Sequence, residues 1–164
     1  MISPHAPRSA DVRSLLEAHL ALMRATSPPE DVHALDVDAL CAPSISFFGY
    51  HDGTELLAVG ALKQLDHEHG ELKSMHTAAA ARGKGIGAAI VAHLLDVART
   101  KEMCWVSLET GSMDAFLPAR TLYARFGFEE CGPFGDYSPS PNSTFMTLDL
   151  TLDLASDLTR DVAR

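Results

Sequence analysis

Apolar residues return along this chain in two periods, and the change of period marks out its elements. From Ser9, the residues Val12, Leu15, Leu16, His19, Leu20 and Met23 recur at three- and four-residue intervals, which predicts an amphipathic helix ending near Thr26. Ser27-Pro28-Pro29-Glu30 reads as a fresh helix start, with Ser27 as N-cap, proline at the first helical position and Glu30 completing a capping box. A second helix or broken helical turn therefore carries Val32 and Leu35 toward Leu40. The period becomes two from Ile45, where Phe47 and Gly49 alternate with Ser46, Phe48 and Tyr50 up to the Asp52-Gly53 hairpin signal. Glu55 to Gln64 and Glu71 to Thr77 flank a polar loop, Asp66 to Gly70, and complete an antiparallel meander of three strands.

Beyond four alanines, Arg82-Gly83-Lys84-Gly85-Ile86-Gly87 leads into Ile90, Val91, Leu94, Leu95, Val97 and Ala98 at helical spacing, so the glycines sit at a helix N-terminus. Met103 to Leu108 predicts a strand buried on both faces. Phe116 to Phe126 forms another helix with Gly127 as its C-cap, and Phe128 begins a further strand. Gly132 to Asn142 is a loop rich in Pro, Ser and Gly, followed by a strand from Ser143 to Leu150. The tail from Thr151 to Arg164 is a frayed helix or irregular and carries no chemistry.

Composition narrows the classes. A chain of 164 residues predicts a single domain, placed at residues 1–150, and 46% apolar with 21% charged residues is the make-up of a globular protein. Thirteen basic against 22 acidic residues give a net charge of −9, which repels a phosphate backbone, so nucleic acid is not an expected partner. No apolar run is long enough for a membrane span, and Met1 to Ala10 lacks the pattern of a signal peptide, so the expected location is cytoplasmic. Cys41, Cys104 and Cys131 show no paired spacing and are expected to be buried or idle thiols.

The glycine loop is the chief chemical signal. Glycines between a strand end and a helix start let successive amide N–H groups converge on an anion, and Arg82 and Lys84 add local positive charge, so a phosphate or pyrophosphate site is predicted. A tight turn flanked by solvated basic residues is the plainer alternative. Gly83, Gly85 and Ala88 formally satisfy the dinucleotide pattern, with Glu109 about twenty residues further on. An antiparallel meander before the loop, and too little chain for a second nucleotide-binding half, count against that ligand.

Arg82, Gly85 and Gly87 also fit Arg/Gln-x-x-Gly-x-Gly/Ala, and here the sequence resembles the GNAT superfamily of acetyl-CoA-dependent N-acetyltransferases. The strand Glu71 to Thr77, the segment Ala119-Arg120-Thr121-Leu122-Tyr123-Ala124-Arg125-Phe126-Gly127-Phe128 and the order of elements from Ser9 to Leu150 belong to the resemblance. Ser27 to Asp36, Cys131 to Tyr137 and Pro141-Asn142-Ser143 look like a small bacterial subgroup of it. The resemblance implies an α/β (α+β) fold with a mostly antiparallel sheet of six or seven strands and helices on both faces. It also implies acetyl-CoA as co-substrate, with no metal, and direct attack by a primary amine.

Carried over residue by residue, the resemblance gives Met75, His76 and Thr77 backbone contacts to the pantetheine arm, and gives Arg82, Gly83, Lys84, Gly85, Ile86, Gly87 and Ala88 the pyrophosphate. The acetyl group would lie where the Glu71 to Thr77 strand splays from the Met103 to Leu108 strand, with an N–H near Met75 polarising the thioester carbonyl. Tyr123 would protonate the departing thiolate; its plainer reading is a helix-face aromatic beside Leu122 and Phe126. Phe116 stands where many relatives carry Asn, so a polar contact to the cofactor is missing or replaced.

An alkyl ammonium must lose a proton before it attacks, and Glu71, ahead of Glu109, is the expected base. Each can equally be a solvated strand-end carboxylate. His33, on the helices expected over the acceptor pocket, and Lys73 are further substrate-binding candidates, as Lys63 and His76 are to a lesser degree; a packed histidine or a wet strand face is the alternative in each case. Asp66-His67-Glu68-His69 reads as a solvated hairpin loop, not a metal site. Two other functions remain open: an acyl-CoA-sensing module without turnover and a nicotinamide-dependent oxidoreductase. The amine acceptor could be small or peptidic, and a homodimer is the commonest soluble assembly.

Overall fold

The computed structural model describes residues 1–26 and 37–152. Among the described residues, seven strands form one sheet in the order β1-β2-β3-β4-β5-β7-β6. They are β1 (Ile2–Pro4), β2 (Ile45–Asp52), β3 (Glu55–Gln64), β4 (His69–Thr77), β5 (Trp105–Gly111), β6 (Glu129–Cys131) and β7 (Ser143–Asp149). The helices are α1 (Ala10–Thr26), α2 (Ile86–Thr100) and α3 (Leu117–Arg125). The expected mostly antiparallel sheet is present: every neighbouring pair runs antiparallel except β4 with β5.

Alternation along the strands divides the core into two layers. Ile90, Val91 and Leu94 of α2 and Tyr123 of α3 pack with Leu72, Val106, Leu108 and Met146 on one face of the sheet. Val12 and Leu16 of α1 pack with Phe47, Val59 and Ala61 on the other. The α1 register therefore matches the apolar spacing from Val12 to Leu16. The second helix expected after Ser27 falls mostly outside the described residues, and a short 3-10 turn at Ala39–Cys41 follows it.

Three differences from the sequence reading have physical causes. Strand β1 was not legible, because three residues ending in Pro4 carry no period; it is held by pairing Ile2 with Tyr50 and Ser3 with Gly49. His69 belongs to β4 and not to the hairpin loop, which is tightened instead by Asp66 Oδ1 accepting from the Glu68 and His69 N–H groups at 2.8 and 2.9 Å. The thiols are free but not buried: Cys41 and Cys131 are exposed and Cys104 is intermediate.

Phe116 has a packing explanation. A Cβ on Gly111 would lie 2.3 Å from the Phe116 ring, so the bare backbone at the end of β5 is the seat for that buried ring. Gly111→Ala is expected to destabilise the protein by about 1–3 kcal/mol through overpacking. Thermal unfolding checks this, with Gly111→Ala/Phe116→Leu restoring most of the loss; a Gly111→Ala protein as stable as the parent refutes the account.

Candidate active site

The pairing of β4 with β5 is short. It runs from His69↔Trp105 to Leu72↔Leu108 and stops there, although β4 continues to Thr77 and β5 to Gly111. The outer edges of these extensions remain paired, Thr77 with Ala58 on β3 and Gly111 with Ser143 on β7. A wedge of backbone therefore opens between two strands in the middle of the sheet, at the place the resemblance implies.

A β-bulge shapes the β4 side of this wedge. Between the pairs Val59↔His76 and Ala61↔Lys73, β4 contains one more residue than β3, and Ser74 takes a left-handed conformation at φ 52°. One extra residue inverts the alternation of faces. Glu71 and Lys73 before the bulge and His76 after it consequently share the α1 side, while Met75 packs into the α2 layer. The hydroxyls of Ser74 and of Ser143, opposite Gly111, are buried without a hydrogen-bond partner.

A short 3-10 turn at Ala79–Ala81 joins β4 to the glycine loop. Gly83 and Gly85 have φ of 75° and 78°, values that an L side chain adopts at a cost of about 1–2 kcal/mol, and a Cβ on either would meet nothing within 4 Å. Backbone conformation and open space, not packing, account for these two glycines. Gly85 is the N-cap of α2, so the free amides of the first helical turn begin at this loop. Arg82 Nε donates to the Thr77 carbonyl at 3.2 Å, tying the loop back to the end of β4.

Glu71 is 2% exposed and does not sit on a wet strand face. Its Oε1 accepts from Lys73 Nζ at 2.8 Å and from the Tyr137 hydroxyl at 2.6 Å, and Lys73 Nζ also donates to the Tyr137 oxygen at 2.7 Å. The Lys73 side chain is only 8% exposed, so this ion pair is shielded from solvent. Tyr137 was missed in the sequence, since nothing in the Pro- and Ser-rich loop signals that it reaches β4. Burial, then the charge and hydrogen bond of Glu71, then the charge of Glu109, push its hydroxyl well above the ordinary tyrosine value, so it stays a donor. Phe134 packs edge-on against it and Phe145 at a tilt, and His69 Nε2 lies 2.7 Å from Ser107 Oγ, which donates to Thr147 Oγ1.

Tyr123 lies on the opposite face of the sheet, 6% exposed, edge-on to Phe128 at 5.9 Å between centroids. Burial alone raises its hydroxyl above the ordinary value, so the phenol keeps its proton at neutral pH. Its ring packs in the core with Leu122 and Phe126 against the same cluster, as the plainer reading expects. His76 is buried and, with Asp11, Ser14, Leu56 and Arg82, lines an open cleft of ≈ 480 Å³ between α1 and the glycine loop. His33 lies outside the described residues. The dinucleotide alternative needs a parallel sheet, and a single parallel pairing among the described strands excludes it. No helix among the described residues is long and apolar enough to cross a membrane.

Comparison with known proteins agrees with this architecture. Residues 12–128 match the acetyltransferase (GNAT) family model. The chain is 48% identical over 139 residues to the uncharacterized N-acetyltransferase YsnE of Bacillus subtilis, covering 85% of this chain and 92% of that one. A crystal structure assigned to an acyl-CoA N-acyltransferase of Klebsiella pneumoniae superposes with a TM-score of 0.75 at 26% identity, covering 92% of this chain and 97% of that one. A GNAT family acetyltransferase of Elizabethkingia anophelis, crystallised with acetyl-CoA bound, shares the fold with a TM-score of 0.66 at 18% identity, over 92% and 97% of the two chains. With its split sheet, its glycine-capped helix and these likenesses, the chain belongs to the GNAT acetyltransferase family and is an acetyltransferase.

Proposed function

We propose that the protein moves the acetyl group of acetyl-CoA to a primary amine by direct attack, within a domain spanning residues 1–150. The observation that carries this reading is the end of β4–β5 pairing at Leu72↔Leu108, on the strand that leads into a loop with two positive-φ glycines, Gly83 and Gly85. An extended pantetheine arm fits the unpaired edge of Met75, His76 and Thr77 as a strand would. The amides from Arg82 to Ala88, with the charges of Arg82 and Lys84, suit a pyrophosphate. The buried, unpartnered Ser74 hydroxyl at the bulge fits a polar ligand in the wedge.

In this reading the amine nitrogen forms its bond to the acetyl carbon as the carbon–sulfur bond breaks. The departing thiolate takes the proton of the Tyr123 hydroxyl, and a carboxylate collects the proton lost by the amine. Both hydrogen bonds on Glu71 fall on Oε1, which leaves Oε2 to accept that proton directly or through water. Glu109, whose charge reaches Tyr137, is the second candidate on the same face. Lys73 is occupied by Glu71 and Tyr137, so it acts on the acceptor through them.

Calorimetric titration with acetyl-CoA, CoA and NADH tests the first half of the reading. Acetyl-CoA and CoA are expected to bind and NADH not, and Gly85→Glu is expected to abolish binding by placing a strained, negatively charged side chain in the loop. Binding of NADH in preference to acetyl-CoA, or unchanged acetyl-CoA binding in the variant, refutes it.

Turnover with an amine panel tests the second half. Tyr123→Phe is expected to lower kcat by about 10²–10⁴-fold with little change in KM for acetyl-CoA. Because burial raises the Tyr123 value, the parent's kcat should show no falling limb from this group up to about pH 10. Glu71→Gln is expected to lower kcat by about 10²–10⁴-fold. If turnover in Glu71→Gln is unchanged, the role of base passes to Glu109; tight acetyl-CoA binding with no turnover on any amine favours a sensing module.

A further inference from the structure

A cluster of metal-ligating side chains stands apart from the acetyl-transfer machinery, where the chain start, the first turn of α1 and the end of β2 meet. His5, Asp11 and His51 each bring one ligand atom to within 4.8 Å of the others. Backbone hydrogen bonds hold both histidines: the His5 N–H donates to the Phe47 carbonyl at 3.1 Å and the His51 N–H to the Met1 carbonyl at 2.8 Å. Their rings meet edge-on, 4.8 Å between centroids.

Two details distinguish the cluster from a chance surface grouping. Gly49, two residues before His51 on β2, leaves room for Leu56 and the His51 ring beside His5; a Cβ there would come 2.8 Å from Leu56 Cδ1, 3.0 Å from His51 Cε1 and 3.4 Å from His5 Cβ. Three oxygens surround Nε2 of His5: Ser9 Oγ at 3.2 Å, Asp11 Oδ2 at 3.2 Å and Asp11 Oδ1 at 3.4 Å. One ring nitrogen carries at most one proton and can serve one of these well. A cation with several coordination positions serves the whole set.

We propose that His5, Asp11 and His51 bind a divalent first-row transition ion of the zinc class. Two imidazoles and a carboxylate are ligands that zinc takes, with the fourth position left to water. Ligands at about 2.0–2.1 Å from a tetrahedral ion lie about 3.4 Å from one another. His5 and Asp11 already stand at 3.2 Å, and His51 completes the set by turning its ring inward. The net charge of −9 favours a cation over the whole surface. Asp11 also lines the cleft that His76 and Arg82 share, so the bound ion would fix one wall of that cleft. Ion binding here uses no acetyl-transfer residue as a ligand and stands or falls without acetyl transfer.

The test uses the full chain without an affinity tag, stripped by chelator and titrated calorimetrically with Zn²⁺ near neutral pH, with Co²⁺ as a visible-absorption probe. One ion per chain is expected, together with the absorption of a tetrahedral nitrogen and oxygen ligand set. His51→Gln and Asp11→Asn should each weaken binding at least about tenfold and remove the Zn²⁺-dependent rise in Tm, whereas His67→Gln, in the exposed hairpin, should change neither. A second readout needs no variant: Zn²⁺ should protect His5 and His51, but not His67, from diethyl pyrocarbonate. Absence of binding, unchanged binding in both variants, transfer of the effect to His67, or equal modification of the three histidines with and without Zn²⁺ overturns the proposal.

Discussion

How far β4 stays paired with β5 decides the rest of this molecule. Four residue pairs hold the two strands together, and beyond Leu72 and Leu108 each leans only on its outer neighbour. A parallel pair needs a long crossover, which here is α2 with the glycine loop at its head. One topological fact therefore puts the N-terminus of a helix at the end of a strand whose inner edge is free. The bulge at Ser74 works on the same stretch, turning His76 to the face that carries Glu71 and Lys73.

The Glu71–Lys73–Tyr137 group has a different energetic character. Removing a carboxylate and an ammonium from water is costly, and an apolar replacement of equal volume is often no less stable. Such a group earns no place in the fold through stability alone. Here two short hydrogen bonds fix one carboxylate oxygen, and a third, from Lys73 to the Tyr137 oxygen, helps tie the 132–142 loop to the middle of the sheet. The loop's order and the carboxylate's orientation are thereby one property.

Legibility in the sequence followed the range of the signal. Gly83 and Gly85 could be read because left-handed backbone demands glycine locally, and the α2 and β3 periods could be read because each buries one continuous face. The parallel register of β4 with β5 could be named only by resemblance, since it joins residues more than thirty positions apart. Tyr137 meets Glu71 across 66 residues from a loop without period, and nothing local announces that contact. Lys73 illustrates the opposite error: alternation of charge along a strand suggests a wet face, but a covering loop makes that face dry. Ser74 escaped because a non-glycine residue at positive φ leaves no mark in the pattern of apolar and polar positions.

A sheet that divides in its interior has four edges instead of two. Outer edges can be blunted by shortness and by proline, as β1 is with three residues ending in Pro4. The inner pair cannot be treated in this way if the wedge takes the proposed pantetheine arm, because any residue that discouraged a foreign strand would also discourage that arm. Receptivity to extended chains is thus built into the fold. With the proposed arm bound there, the ligand's concentration in a crowded solution would become part of the protein's colloidal behaviour, since whatever fills the wedge also withholds it from neighbouring chains.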